Sequence, residues 1–130
     1  MFDHERLDVY RVDMDFVAWS YRLCEGLRGS QRHARDQLLR ASQSIPLNIA
    51  EGNGKLPSAD RQRFLRIALG SALECAATLD VLTACRAIDS ATAAEGKPLR
   101  VRIVSMLTKM SSIALQVREG VEYEYDEQTL

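Results

Sequence analysis

Ile67-Ala68-Leu69-Gly70-Ser71-Ala72-Leu73-Glu74-Cys75-Ala76-Ala77-Thr78-Leu79-Asp80-Val81-Leu82-Thr83-Ala84-Cys85 holds only two charged side chains, Glu74 and Asp80. Small side chains at Gly70, Ser71, Ala72, Ala76, Ala77 and Ala84 are spread around its circumference. No proline interrupts it, so the stretch reads as one helix that is apolar nearly all round. Such a helix is expected inside a protein. A membrane span is the rival reading, and the two carboxylates, with a well-charged remainder of the chain, argue against it.

Working outward, Lys55-Leu56-Pro57 reads as a turn and Ser58 as an N-cap, which places this helix at about residues 58–89. Upstream, Leu38, Ala41 or Ser42, Ile45 and Ile49 mark one face of a helix over 31–53, with Gly52 and Gly54 at its exit. Pro46 lies inside it and removes the bond to the Ser42 carbonyl, so this helix is expected to be kinked but continuous. Further upstream, Val9, Val12, Phe16, Trp19, Leu23 and Leu27 repeat every three or four residues over 7–27. Tyr10, Met14, Val17, Tyr21 and Cys24 form a second apolar stripe beside them. Asp13 falls between the two stripes, where a lone carboxylate is costly to bury, and is expected to meet an arginine or a wet groove. Gly29 is expected to close this helix and Ser30 to cap the next.

Downstream, 89–96 reads as a connection of small residues, and Pro98 starts a last helix over 98–121. Its expected stripe is Val101, Val104, Leu107, Met110 or Ser111, Ala114 and Val117. The acidic stretch 122–130 reads as a tail. Four helices with short connections make an all-α, antiparallel up-and-down four-helix bundle, one domain over 1–130. In such a bundle each helix keeps one face to solvent, and the first and third have too little polar surface for that. Self-association is the expected remedy.

Composition sets further bounds. At 130 residues, 46% hydrophobic and 27% charged, the chain can bury a proper core. Cys24, Cys75 and Cys85 lack CxxC spacing and read as reduced thiols of a cytoplasmic protein. The N-terminus lacks the apolar core of a signal peptide. Net charge is −1, but it is distributed in blocks: −3 over 1–25, +5 over 26–66, −2 over 67–98, +4 over 99–118 and −5 over 119–130.

Two motifs are more specific. Ser44-Ile45-Pro46-Leu47-Asn48-Ile49-Ala50-Glu51-Gly52 and Phe64-Leu65-Arg66-Ile67-Ala68-Leu69-Gly70-Ser71-Ala72 resemble the bacterial four-helix-bundle family named for a protein encoded in an intervening sequence of 23S ribosomal RNA. The resemblance covers about residues 7–120. It implies an up-and-down bundle assembled as a five-fold barrel of identical subunits, a homopentamer, with no established enzymatic activity. Pro46, Asn48, Glu51, Gly52 and Gly70 are its structural motif residues here. A related branch, the accessory proteins of diversity-generating retroelements, is basic, binds nucleic acid and works beside a reverse transcriptase. This chain departs from that branch in its net charge and acidic tail.

Asn48 and Glu51, one turn apart, would make a polar site with Glu74 or, structurally, bond across the bundle and satisfy groups loosened by Pro46. Carboxylate-bridged metal sites in bundles use Glu-x-x-His pairs, and this chain has none, with its histidines at His4 and His33. No metal, cofactor, phosphate loop or nucleophile–base pair is expected, so no enzyme. In an up-and-down bundle the basic residues gather at one pole: Arg28, Arg32, Arg35, Arg86, Lys97, Arg100 and Arg102, against Asp36, Asp89 and Glu95. Repeated around an oligomer they would form a ring suited to RNA or single-stranded DNA backbones. Solvated helix ends are the plainer reading, since aromatic stacking groups are missing there. The expected function is a non-enzymatic, homo-oligomeric binding or scaffold protein, without a membrane partner. The alternative is a protein-interaction module whose partner meets the barrel ends or the acidic tail.

Overall fold

In a computed structural model, residue 4, residues 7–54 and residues 58–119 are described, with the backbone alone at 58 and from 112 onward. The helices are α1 (Asp8–Cys24), α2 (Arg32–Asn53), α3 (Ser58–Ala84), α4 (Ser90–Glu95) and α5 (Lys97–Glu119), with a short 3-10 turn at Gly29–Gln31. No strand occurs among the described residues. The four long helices close a ring, with α1 against α2 and α5, and α3 against the same two. The tail expected at 122–130, and the last two residues expected for the fourth helix, lie outside the described residues.

On α1 the residues Val9, Val12, Phe16 and Trp19 are buried, as their spacing requires. Phe16 and Trp19 stack with ring centroids 5.8 Å apart. The α2 face is Leu38, Ala41, Ser42, Ile45 and Ile49, all buried, and Pro46 is buried within the helix. From α3 come Leu65, Ala68, Ala72, Cys75, Leu79 and Leu82, and from α5 Ile103 and Leu107. Each large side chain in this core contributes about 1.5–3 kcal/mol through burial.

Several expectations need correction. The first helix stops at Cys24, three residues early, because Gly26 and Leu27 bond back to the carbonyls of Leu23 and Cys24 and tighten the chain. Gly29, at φ +64°, opens the 3-10 turn instead of closing α1, and no side chain caps α2. The third helix ends at Ala84 instead of 89. Arg86 turns left-handed at φ +60°, its amide bonds to the Thr83 carbonyl (3.0 Å), and that of Ala87 bonds to Leu82 (2.9 Å). This pair of bonds is a Schellman ending with arginine where glycine is usual. The connection after it contains α4, capped by Asp89, whose carboxylate accepts from the Thr92 amide at 2.7 Å. On α5 Ile103 and Leu107 are buried, Leu99, Val104, Met106 and Met110 pack partly buried beside them, and Val101 is 53% exposed. Of the expected stripe Val104, Leu107 and Met110 face the core and Val101 does not, and Ala114 and Val117 fall where side chains are not described.

α3 leaves exposed the apolar surface that a single bundle is expected to leave there. Within one protomer it is buried on one face only. Ile67, Gly70, Leu73, Ala77, Val81 and Ala84 lie on the other face, with Leu73 50% and Val81 55% exposed. By length and composition the window Ala59–Ala84 could cross a membrane, at mean hydropathy 1.4. Its inner face instead packs against α2 and α5.

Candidate functional site

Three local contacts tie the helix ends that carry most of the basic residues. Arg35 reaches from α2 to the Leu27 carbonyl (3.5 Å), and the Cys24 thiol faces the Arg35 carbonyl at 3.9 Å, which joins the end of α1 to the start of α2. Trp19 covers Gly96 so closely that a Cβ there would meet ring atoms at 2.8 Å, which joins α1 to the start of α5. A groove of about 440 Å³ between α3, α4 and α5 is lined by Asp80, Thr83, Ser90, Lys97 and Arg100 among others.

The basic side chains in this region are not equivalent. Arg35 gives its Nε and Nη2 to one Asp36 oxygen, both at 3.1 Å, so its charge is already partnered. Arg100 is half-buried, donates to the Ala93 carbonyl at 3.2 Å and feels Asp80; burial lowers its pKa. Arg28, Arg32, Arg86, Lys97 and Arg102 are exposed. Arg100 and Lys97 share the groove, whereas Arg102, two residues on, lies 200° round the helix from Arg100 at about 100° per residue. Asp89, held below the ordinary carboxylate range by the Thr92 contact, keeps its negative charge here.

Polar groups elsewhere are largely spent on structure. Asn48 donates its amide to the Ser44 carbonyl (2.8 Å) and hydroxyl (3.0 Å), within α2 and not across the bundle. The Ser71 hydroxyl of α3 donates across to that of Ser44, at 2.8 Å. Glu74 pairs with Arg40 at 3.3 Å, and Glu51 is exposed, so neither is placed with Asn48 in a catalytic cluster by these contacts. Burial pushes the Cys24 thiol up to about 11 and Cys75 to about 12, which leaves both protonated and unreactive near neutral pH. Among the described residues no three His, Cys, Asp or Glu side chains converge as a metal site.

Asp13 meets neither an arginine nor a wet groove. It is fully buried, both carboxylate oxygens lack a hydrogen-bond partner, and burial raises its pKa to about 8. Sequence flagged its awkward position between two apolar stripes but not how completely the bundle closes over it.

Residues 5–109 match the family model described as 23S rRNA-intervening sequence protein. The chain belongs to that family. A similar solved structure is that of a protein of unknown function from the S23 ribosomal protein family of Bacteroides thetaiotaomicron VPI-5482, at 25% identity and a TM-score of 0.74. The similarity covers 79% of this chain and 97% of that one. No curated protein matches the chain.

In this member of the 23S rRNA-intervening sequence protein family, two of the motif glycines have opposite surroundings. At Gly52 an added Cβ would meet the Phe64 Cβ at 2.8 Å and the Arg61 carbonyl at 3.3 Å, so glycine lets α2 and α3 approach. Gly70 has nothing within 4 Å and stands on the exposed face of α3.

Proposed function

We propose that the protein is a non-enzymatic, cytoplasmic scaffold or binding module that works as a homo-oligomer, a pentamer as its family resemblance implies. The supporting observation is the outer face of α3, where Ile67, Leu73 and Val81 stand exposed around the small residues Gly70, Ala77 and Ala84. A helix keeps such a face in water only at a cost that burial against another copy removes. The proposal includes an up-and-down, antiparallel order of the four long helices, supported by their closed ring of contacts and short connections. It also includes a bend of α2 at Pro46, where the Ser42 carbonyl loses its helical donor. Sedimentation analysis tests the self-association: an assembly several times 14.6 kDa is expected, falling to the protomer in Ala77→Glu. A wild-type particle of protomer mass at micromolar concentration refutes it.

The ligand of this module is nucleic acid, RNA or single-stranded DNA, held by the basic pole. The exposed set Arg28, Arg32, Arg86, Lys97 and Arg102 favours this reading; Arg35 is engaged by Asp36, and Arg100 is half-buried and bonded to the Ala93 carbonyl. Filter retention at about 50 mM salt, lost by about 200 mM, is the expected signature of phosphate contacts. No retention at the lower salt removes the nucleic-acid ligand and leaves the protein-interaction module, read by a protein that co-purifies free of nucleic acid.

A further inference from the structure

The groove of about 440 Å³ between α3, α4 and α5 is lined by Asp80 from α3 and by Lys97 and Arg100 from α5, with Ala84, Ala93 and Ala94 among its walls. Pockets for small molecules begin at about 300 Å³, so the space suits one nucleotide. Arg100 stands apart from the exposed cations of this pole. It is half-buried, and its Nη1 donates to the Ala93 carbonyl at 3.2 Å, the single hydrogen bond of its side chain among the described residues. No carboxylate among the described residues comes within ion-pair distance of Arg100 or Lys97. The guanidinium is thus fixed in direction by α4 while most of its donors stay unused.

The charges of the groove narrow what it can take. A guanidinium fork and an ammonium one turn apart on the same helix match the oxygens of a phosphate. Exposed Arg86, two residues beyond Ala84 of the wall, adds a cation for the next phosphate of a strand. Asp80 works against a bare anion. It is exposed, Arg100 feels its charge, and among the described residues it has no ion pair. An ionised carboxylate only accepts hydrogen bonds, so the ligand must carry a donor close to its phosphate. In RNA the ribose 2′-hydroxyl is that donor, and DNA lacks it. No aromatic side chain lines the groove, so bases find no stacking platform there.

Taking the nucleic-acid ligand proposed above, on which this rests, we infer that the groove seats one ribonucleotide of an RNA strand. Its phosphate lies on Arg100 and Lys97, and its 2′-hydroxyl donates to Asp80. Asp80 is the residue that sets specificity. It repels the phosphates of both kinds of strand and regains a charge-assisted hydrogen bond from RNA alone. A site that hydrogen-bonds a hydroxyl discriminates against the analogue without one. The pole therefore selects RNA over DNA without reading its bases.

Filter retention at about 50 mM salt tests this with three single strands of one adenine–cytosine sequence: RNA, DNA, and RNA carrying 2′-O-methyl groups. Wild type is expected to hold RNA about tenfold more tightly than DNA, the worth of one hydrogen bond to a charged group. Methylated RNA is expected to bind as weakly as DNA, because the methyl ether has no proton to donate. Asp80→Ala brings the three strands level, whereas Lys97→Gln weakens all three alike. Equal retention of RNA and DNA by wild type overturns the inference and leaves the nucleic-acid ligand standing. Retention of neither strand removes both. A preference for RNA that persists in the methylated strand, or in Asp80→Ala, also overturns the inference.

Discussion

The indole of Trp19 lies against the backbone of Gly96, with three ring atoms within 2.9 Å of where a Cβ would stand. This contact fastens α1 to the junction of α4 and α5. Gly96→Ala forces the buried ring or the junction to shift and is expected to cost about 1–3 kcal/mol. Trp19→Ala, which removes the ring itself, is expected to cost about 3–5 kcal/mol. Urea unfolding of the two variants checks the order; a neutral Gly96→Ala contradicts the contact.

Asp13 makes stability depend on pH. Its folded pKa of about 8 stands above the ordinary 3.8, so the folded protein holds this proton more tightly than the unfolded chain. The resulting stabilisation is fully present below the unfolded value and is lost as pH rises through about 8. At pH 7 the shift corresponds to roughly 4 kcal/mol relative to acid conditions. Denaturation midpoints measured from pH 5 to 8 are expected to fall in wild type and to flatten in Asp13→Asn. Parallel curves for the two proteins contradict a buried, unpartnered acid.

Arg86 occupies a left-handed conformation that disfavours a side chain. Because the Schellman bonds fix this geometry, Arg86→Gly is expected to stabilise the fold by about 1 kcal/mol. Thermal unfolding reads the gain, and a loss of similar size means that the arginine side chain holds a contact that offsets its strain.

Gly52 and Gly70 separate packing from propensity. Gly52→Ala is expected to destabilise by about 1–3 kcal/mol, since Phe64 and the Arg61 carbonyl crowd it. In a lone protomer Gly70→Ala gains about 0.5–1 kcal/mol of helix propensity, because its site is open. If α3 packs on a second copy there, the same change weakens assembly. Sedimentation and unfolding on one sample distinguish the outcomes.

How far the sequence disclosed this molecule varied with the kind of signal. The inward faces of α1 and α2 were legible because Val9 to Trp19 and Leu38 to Ile49 keep a clean helical period. On α5 two frames compete, and Val101 looks as apolar as Ile103, so periodicity alone picked an exposed residue. The ending of α3 was hidden because arginine stands where glycine would have announced it. α4 was hidden because a run of small residues also reads as a connection. Basic residues near helix ends can be enumerated from sequence, but the engagement of Arg35 by Asp36 depends on rotamers, which no pattern carries.

The connection between α3 and α5 is tied at four points: Arg86 to Thr83, Thr92 to Asp89, Arg100 to Ala93, and Trp19 seated on Gly96. It works as a latch more than a hinge. The last long helix cannot swing away from the first without lifting that indole, so amide hydrogens on both sides of the latch should exchange with solvent together, in one cooperative opening.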